Sequence, residues 1–179
     1  MINYLRIKSI RKYLTKEATE ILVLSLVISH LDYCNVILYG IAQSEIGKMQ
    51  RIQNMSAKLV LNRKKFDSSR EALCDLHWLP INSRIQFKLL TFMYNCYVGE
   101  APLYLTELLT KHVPIQKLRS AQSSEGYYNV PFNRNKTFSD RSFQTIGPRL
   151  WNNLPLDIKQ SKSLGTFKAK LKTHLFRNF

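Results

Sequence analysis

Acidic residues are scarce in this sequence. Only 12 Asp and Glu stand against 27 Lys and Arg among 179 residues, so the formal net charge is +15. A chain this basic attracts polyanions, and nucleic acid is favoured over an anionic membrane surface. The alternative is a basic surface that serves only solubility. The charge therefore indicates a class of partner and says nothing about the fold.

Cysteine and long apolar runs are also scarce. The three cysteines, Cys34, Cys74 and Cys96, are odd in number and form no CxxC pair. An apolar stretch over residues 21–29 is far shorter than the ~20 residues that a membrane span needs, and the basic start lacks the apolar run of a signal peptide. We therefore expect a soluble, reduced, intracellular protein of the nucleus or cytoplasm, with no membrane partner.

The usual marks of catalysis on phosphates are missing. The six glycines are dispersed, so the sequence has no glycine loop to cradle a phosphate. None of the five aspartates is adjacent to another, as a pair holding two divalent metals would be. Neither a nucleophile elbow nor an activated cysteine is recognisable. We predict no catalytic residue, no cofactor and no small-molecule substrate.

Two histidine–cysteine pairs have the spacing of metal ligands. His30 and Cys34 are four residues apart, and Cys74 and His77 are three apart, so each pair could share a helix face. A two-Cys, two-His zinc site would form if these helices met. The large apolar neighbours favour ordinary buried thiols instead. We predict no metal site.

The first part of the chain has the pattern of helices. Residues 3–13 predict a short basic helix, and Thr15 is an expected N-cap for the next one, with Glu17 in its first turn. That second helix runs through residues 21–28 and is apolar on almost every face. We therefore expect it to be buried on most sides.

Three further helices follow up to residue 110. The pattern predicts a helix over 44–61 that begins at Ser44 and buries one face. Ser68 has capping-box spacing for a short helix over 69–76, and an apolar face over 81–96 predicts another long helix. The body of the protein is thus expected to be a helical bundle.

The last third of the sequence differs in composition from the rest, because it contains more proline and glycine. Runs at 118–122 and 127–130 could pair as a small hairpin. A final amphipathic helix over 164–176 is expected to begin at Ser163. The predicted fold class is therefore mainly α: a helical bundle with a small mixed α/β C-terminal appendage that contains a hairpin.

Positive charge is concentrated at the two ends of the chain. Residues 1–16 carry five bases and no acid, residues 17–110 carry nine of each, and residues 111–179 carry thirteen bases against three acids. This distribution suggests a neutral packed body flanked by two polyanion-facing surfaces. Within the body, Lys48, Arg51 and Lys58 lie within about 80° on a helical wheel. They form either a solvated face or a phosphate-binding stripe that continues into residues 63–65.

Aromatic residues near these bases have two interpretations. Tyr127, Tyr128, Phe132 and Phe138 alternate with basic residues, as on a surface that follows a single strand, yet a small hairpin would bury the same rings. Trp78 and Trp151 each precede a Leu-Pro pair or lie near one. For them we favour a structural role, in which the indole locks a turn onto the core, over stacking on a base.

Eight short sequence segments, called phrases below, together resemble one protein family when taken in their order along the chain. They are VISHLDYCN (27–35), MQRIQN (49–54), LHWLPI (76–81), RIQFK (84–88), GEAPLYL (99–105), LRS (118–120), LWNNLP (150–155) and FKAKLKT (167–173). Together they resemble the region that follows the polymerase palm in non-LTR (LINE-type) retrotransposon reverse transcriptases of the jockey-like and chicken-repeat-like clades. The resemblance covers about residues 3–177.

The resemblance implies a division of the chain and a function. Residues 1–61 would be thumb-like helices, 62–110 post-thumb helices packed on them, and 111–179 a basic C-terminal segment. The chain would be a non-catalytic fragment of an RNA-directed DNA polymerase, truncated downstream of the palm whose aspartates hold Mg²⁺. It would contact RNA, DNA or their hybrid through backbone phosphates. The alternatives are a protein-interaction module that packs on the missing palm or on a host partner, and a functionless relic of an element.

The candidate phosphate-binding side chains come from the two ends and from the stripe. They are Arg6, Lys8, Arg11, Lys12, Lys48, Arg51, Lys58, Arg63, Lys64, Lys65, Arg119, Arg134, Lys136, Arg141, Arg149, Lys168 and Lys172. Binding through such residues would depend little on nucleotide sequence and would weaken steeply with salt.

Overall fold

The computed structural model describes residues 2–112, 126–132 and 139–177. They divide into two compact units, with the division between Ile85 and Gln86. This division falls inside the predicted middle segment, and the three-part division of the chain stays a prediction. In the described part, no helix has both the length and the apolar character needed to cross a bilayer.

Unit 1 begins with helices whose starts follow the sequence pattern. Helix α1 spans Ile2–Ile10 and is followed by a 3-10 turn, Arg11–Tyr13. Helix α2, Lys16–Val23, begins at Thr15, whose hydroxyl accepts the backbone N–H of Ala18 at 3.2 Å. This confirms the predicted N-cap. The chain continues through a π-helical turn, Leu24–Ile28, into the short helix α3, Ser29–Asp32, and a 3-10 turn, Asn35–Leu38.

The second helix is less buried than its sequence suggests. Val23, Val27 and Ile28 enter the core, but Ile21 is 66% exposed, and Leu24 and Leu26 are exposed as well. The expectation of burial on most sides is therefore wrong. A π-helical turn changes the residue spacing within a helix, so α-helical periodicity does not predict which of these side chains face inward.

Two more helices complete the body of unit 1. Helix α4 spans Gln43–Val60, so Ser44 lies in its first turn and is not its cap, contrary to the prediction. Helix α5 spans Ser69–Asp75 and begins at Ser68, whose hydroxyl accepts the N–H of Glu71 at 3.3 Å as predicted. The core between these helices contains buried residues of α1, α2, α4 and α5, among them Ile7, Val23, Ala57, Val60 and Leu73.

Side-chain amides connect α4 to the turn that contains Trp78. The buried Gln53 donates to the carbonyl of Leu79 at 2.8 Å, and Gln50 Oε1 accepts the N–H of Ile81 at 2.9 Å. The second bond satisfies a backbone donor in the first turn of the next helix, which has no partner within that helix. Nearby, Arg84 Nε donates to Asp32 Oδ1 at 2.8 Å, and Arg84 Nη2 binds the other carboxylate oxygen. Two of the sequence phrases thus meet in space.

Helix α6, Ile81–Val98, passes through the division, and unit 2 takes it from Gln86 onward. Unit 2 then adds the short helix α7, Leu103–Thr106, a 3-10 turn, Ser139–Arg141, and helix α8, Phe143–Asn152. Helix α9 spans Leu156–Lys159 and helix α10 spans Leu164–Arg177. The hydroxyl of Ser163 accepts the N–H of Thr166 at 3.2 Å, which confirms the predicted start of the last helix.

The core of unit 2 is a stack of aromatic rings. Tyr94 and Phe167 stack with centroids 4.3 Å apart, and Trp151 lies 6.1 Å from Phe167. The Trp151 indole N–H donates to the carbonyl of Gly126 at 2.8 Å. At Gly147, an added Cβ would lie 2.5 Å from Met93 Sδ, so α8 approaches α6 more closely than a side chain would allow.

The predicted α/β appendage is not found in the described part of the C-terminal third, where the regular secondary structure is helical apart from one isolated bridge. Tyr128 forms that antiparallel bridge with Lys111, and the His112 N–H donates to the Tyr127 carbonyl at 2.9 Å. The segment 127–130 therefore pairs with residues near 111. The other predicted hairpin strand, 118–122, lies outside the described residues.

Candidate nucleic-acid interface

Unit 1 contains a basic groove between α1, the 3-10 turn after it, α4 and the loop between α4 and α5. The groove encloses about 1040 Å³. Its described lining contains seven bases and no acid: Lys8, Arg11, Lys12, Arg51, Lys58, Arg63 and Lys65, with Tyr4, Ser9, Asn54, Met55, Leu59, Asn62 and Ser69. Seven of the predicted phosphate-binding residues, from two distant parts of the sequence, are thus brought together.

Arg11 holds the groove together through its guanidinium group. Nε and Nη2 donate to the carbonyls of Leu59 and Val60, at 2.9 and 3.1 Å, at the end of α4. Nη1 donates to the carbonyl of Leu14 at 2.8 Å. A cation at the C-terminus of a helix satisfies carbonyls that have no partner within the helix and complements the helix dipole. Arg11 therefore has a structural task, which its prediction as a phosphate ligand missed.

Lys58 and Arg63 stabilise the loop that forms one wall. Lys58 Nζ donates to the carbonyl of Lys65 at 2.8 Å. Arg63 forms ion pairs with Asp75 at 2.6 Å and with Glu71 at 3.4 Å. The two carboxylates offset much of the charge of Arg63, so this residue contributes less to a polyanion site than its sequence position suggests.

Four lining bases present their charge to the open groove. Lys8, Lys12, Arg51 and Lys65 are exposed. Arg51 Nε donates to the carbonyl of Gly47 at 3.2 Å. Among the described residues, these four are the groove's strongest candidates for phosphate contacts.

Two exposed aromatic rings lie beside the groove lysines and were not among the predicted site residues. Lys12 Nζ is 4.7 Å from the centroid of the Tyr13 ring, and Lys65 Nζ is 5.7 Å from that of Phe66. Tyr13 is 77% exposed and Phe66 is 93% exposed. The sequence does carry a signal for them, because RKY (11–13) and KKF (64–66) both place an aromatic residue after two bases.

The other predicted bases of unit 1 lie elsewhere. Arg6 lines a second cavity of about 560 Å³, which is mostly apolar and includes Leu26, His30 and Leu31. Lys48 forms an ion pair with Glu45 at 2.8 Å. The exposed Lys64 side chain is outside the lining of the basic groove. The predicted stripe on α4 is therefore divided, with Arg51 and Lys58 in the groove and Lys48 beyond it.

The predicted bases of unit 2 lie on separate elements. Arg141 belongs to the 3-10 turn, and Arg149, on α8, forms an ion pair with Asp140 at 3.7 Å. Lys168 and Lys172 are exposed on α10, and Lys172 Nζ lies 6.0 Å from the Phe176 ring. Three further candidates, Arg119, Arg134 and Lys136, lie outside the described residues.

One base of unit 2 is a core residue. Lys159 is only 2% exposed, its Nζ donates to the carbonyl of Asn152 at 3.1 Å, and it lies 4.0 Å from the centroid of the Tyr127 ring. Burial lowers the pKa of Lys159. Since Asn152 ends α8, the amino group also caps that helix. The buried Lys159 amino group cannot reach a phosphate. Nothing in the local sequence distinguishes Lys159 from the exposed lysines.

The residues with alternative interpretations divide between buried and exposed positions. Trp78 and Trp151 are buried, which confirms the structural interpretation, and Tyr128 is buried 6.4 Å from Trp151. Phe132, in contrast, is 92% exposed. Cys34 and Cys74 are exposed as well, so these two are not core thiols, whereas Cys96 is buried. Within the described ranges, no three His, Cys, Asp or Glu residues group as metal ligands would.

Comparison with protein families, with curated proteins and with solved structures finds no match to this chain, so the resemblance drawn from the eight phrases remains a prediction.

Proposed function

We propose that unit 1 binds the phosphate backbone of nucleic acid in the basic groove. The chain would do so as a non-catalytic, thumb-like part of a non-LTR retrotransposon reverse transcriptase. The observation that carries the proposal is the gathering of seven bases and no acid among the described residues that line one groove. Phosphate contacts dominate the affinity of sequence-independent nucleic-acid binding, and a concave basic surface strengthens the local potential.

The resemblance supplies the biological context of the proposal. Phrases around residues 27–35 and 49–54 would belong to thumb helices. Both lie in unit 1, and the second lies on α4, which lines the groove. The chain's own residues would position the nucleic acid, and the chemistry would belong to a palm with its aspartates and Mg²⁺.

A salt titration tests the proposal. Labelled DNA or RNA would be titrated with the full chain at about 50 and about 200 mM salt. With about four phosphate contacts, the affinity should fall about 50-fold for a single strand and about 150-fold for a duplex. A flat salt response would contradict the proposal.

A charge-matched pair of variants locates the site. Lys8→Gln/Lys12→Gln removes two groove lysines, and Lys16→Gln/Lys48→Gln removes two exposed lysines of unit 1 that do not line the groove. The first variant should weaken binding by at least about tenfold and the second by much less. Equal losses would indicate binding through net charge alone.

A second candidate function is protein docking, either on the polymerase palm or on a host partner. The exposed Ile21, Leu24 and Leu26 favour it, since apolar side chains clustered on one segment commonly mark an interaction surface. An isolated chain with such a surface should associate as its concentration rises. Light scattering that shows a monomer over a wide range of concentrations would count against this function.

A further inference from the structure

We propose that the basic groove takes single-stranded nucleic acid, with Tyr13 and Phe66 as platforms on which unpaired bases stack. This inference rests on the proposed function and adds the class of strand to it. Two rings are involved, one following α1 and one in the loop that follows α4, and each is adjacent to a lysine that lines the groove.

The rings are placed for contact with a ligand and not with the core. Tyr4 and Trp78 show that unit 1 buries aromatic side chains where it can. Tyr13 and Phe66, in contrast, expose most of their surface. Exposure alone is not decisive, because Tyr33 is 80% exposed as well. What distinguishes Tyr13 and Phe66 is that each has the amino group of a groove lysine within 6 Å of its ring centroid.

A lysine beside a free ring matches the chemistry of an unpaired nucleotide. The ring offers a flat face to the base, and the adjacent amino group reaches the phosphate of the same or the next nucleotide. Proteins that bind single strands combine a basic groove with such stacking, which tolerates every base. Lys12 with Tyr13 and Lys65 with Phe66 are two such units on one groove.

A duplex would gain nothing from the rings. Its bases are already stacked and paired, and bringing one out of the helix costs free energy. The phosphates of a duplex could still contact Lys8 and Arg51. The groove should therefore bind a single strand more tightly than a duplex of the same length at equal salt, although the duplex carries more charge.

The test compares three probes of one length: a single strand, the corresponding duplex, and an abasic strand that keeps the sugar–phosphate backbone without bases. Fluorescence anisotropy would be measured on the full chain and on Tyr13→Ala, Phe66→Ala and the double variant. Tyr33→Ala is the matched control, a similarly exposed ring whose neighbours in the sequence, Asp32 and Cys34, are not groove lysines. All of these rings are exposed, so the variants should fold, which circular dichroism would check.

Each ring removed should weaken single-strand binding by about five- to 150-fold. The duplex and the abasic strand should bind the variants and the wild type alike, Tyr33→Ala should have no effect, and Tyr13→Phe should restore the affinity. Unchanged single-strand binding by the double variant, or tighter binding of the duplex, would overturn the inference and leave the phosphate-binding groove intact. Absence of salt-dependent binding to all three probes would overturn the proposed function as well.

Discussion

The two units differ in how their basic residues are arranged. In unit 1, bases from α1, the 3-10 turn after it, α4 and the following loop line one groove. Among them, Arg11, Lys58 and Arg63 also bind carbonyls or carboxylates of its walls. In the described part of unit 2, the bases are distributed over α6, α8, α9, α10 and the segments between them, and Lys159 is buried. The C-terminal third has the larger charge excess in the sequence. Arrangement, more than number, therefore decides which surface suits a polyanion.

The largest expected effect comes from removing the open charges of the groove. The quadruple variant K8Q/K12Q/R51Q/K65Q should lose roughly 10³-fold in affinity for single-stranded DNA at about 0.1 M salt. The matched variant K162Q/K168Q/K172Q/R177Q removes four exposed charges of unit 2 and should lose less than about fivefold. Equal losses of affinity for the two variants in an anisotropy titration would contradict the proposed difference between the units.

A core change in unit 2 should have no such effect on binding but a large one on stability. Trp151→Phe leaves a cavity among Tyr97, Tyr128 and Phe167 and removes the donor to the Gly126 carbonyl. The free energy of unfolding should fall by about 3 kcal/mol. Urea denaturation measures it, and a loss below about 1 kcal/mol would mean that the indole is not the centre of this core.

Variants of Arg11 and Lys8 distinguish a groove cation that stabilises the fold from one that binds the ligand. Arg11→Gln should lower the free energy of unfolding by about 2 kcal/mol, because three carbonyls lose a charged donor. Lys8→Gln, an exposed neighbour in the same groove, should leave stability within about 0.5 kcal/mol and weaken binding. Denaturation and binding measured on both variants check this, and the reverse pattern would contradict the assignment.

The effect of the buried Lys159 charge on the stability of unit 2 can be tested by varying the pH. Burial lowers the pKa of Lys159, so the folded state binds this proton less readily than the unfolded chain. Its destabilising effect is absent above the unfolded pKa, near 10.5, and develops as the pH falls through the folded pKa. Lys159→Met lacks this titration, although it also loses the bond to the Asn152 carbonyl. Its stability relative to the wild type should therefore rise as the pH is lowered from about 10.5 towards neutral. Denaturation at the two pH values measures this rise, and a difference that does not change with pH would contradict it.

The smallest effect at neutral pH is expected from Tyr128→Phe. The Tyr128 hydroxyl is buried without a hydrogen-bond partner among the described residues, and burial raises the pKa of Tyr128 to about 12. The unfolded chain ionises this group near pH 10 and the folded state does not, so stability is unaffected below about pH 10 and falls as the pH rises towards 12. The phenylalanine variant should match the wild type within about 0.5 kcal/mol at pH 7 and exceed it at pH 11. Identical alkaline denaturation curves would contradict this.

Local features were predictable because they depend on neighbouring residues. Thr15, Ser68 and Ser163 begin helices as expected, since a side-chain oxygen before a helix satisfies a backbone N–H within three residues. The inward face of the last helix also followed from its spacing, with Phe167 and Leu171 buried.

The groove could be predicted only in part, because its geometry joins distant segments. The sequence identified Lys8 and Arg51 as candidates, but not that they share one surface while Lys48 lies outside it. Nor does it distinguish Arg11, which binds carbonyls 48 and 49 residues away, from the open lysines beside it. These roles depend on tertiary contacts, and tertiary contacts cannot be deduced from a single sequence.

The amide contacts between α4 and the turn before α6 have a consequence for how such chains can diverge. Gln53 is fully buried and donates to Leu79, while Gln50 accepts from Ile81. Loss of either glutamine alone would leave a buried backbone group without its partner, at a cost of about 1–3 kcal/mol. Positions 50 and 53 should therefore co-vary with the backbone geometry around 79–81 in related sequences, and an insertion between 77 and 81 should be found only where both glutamines have been replaced.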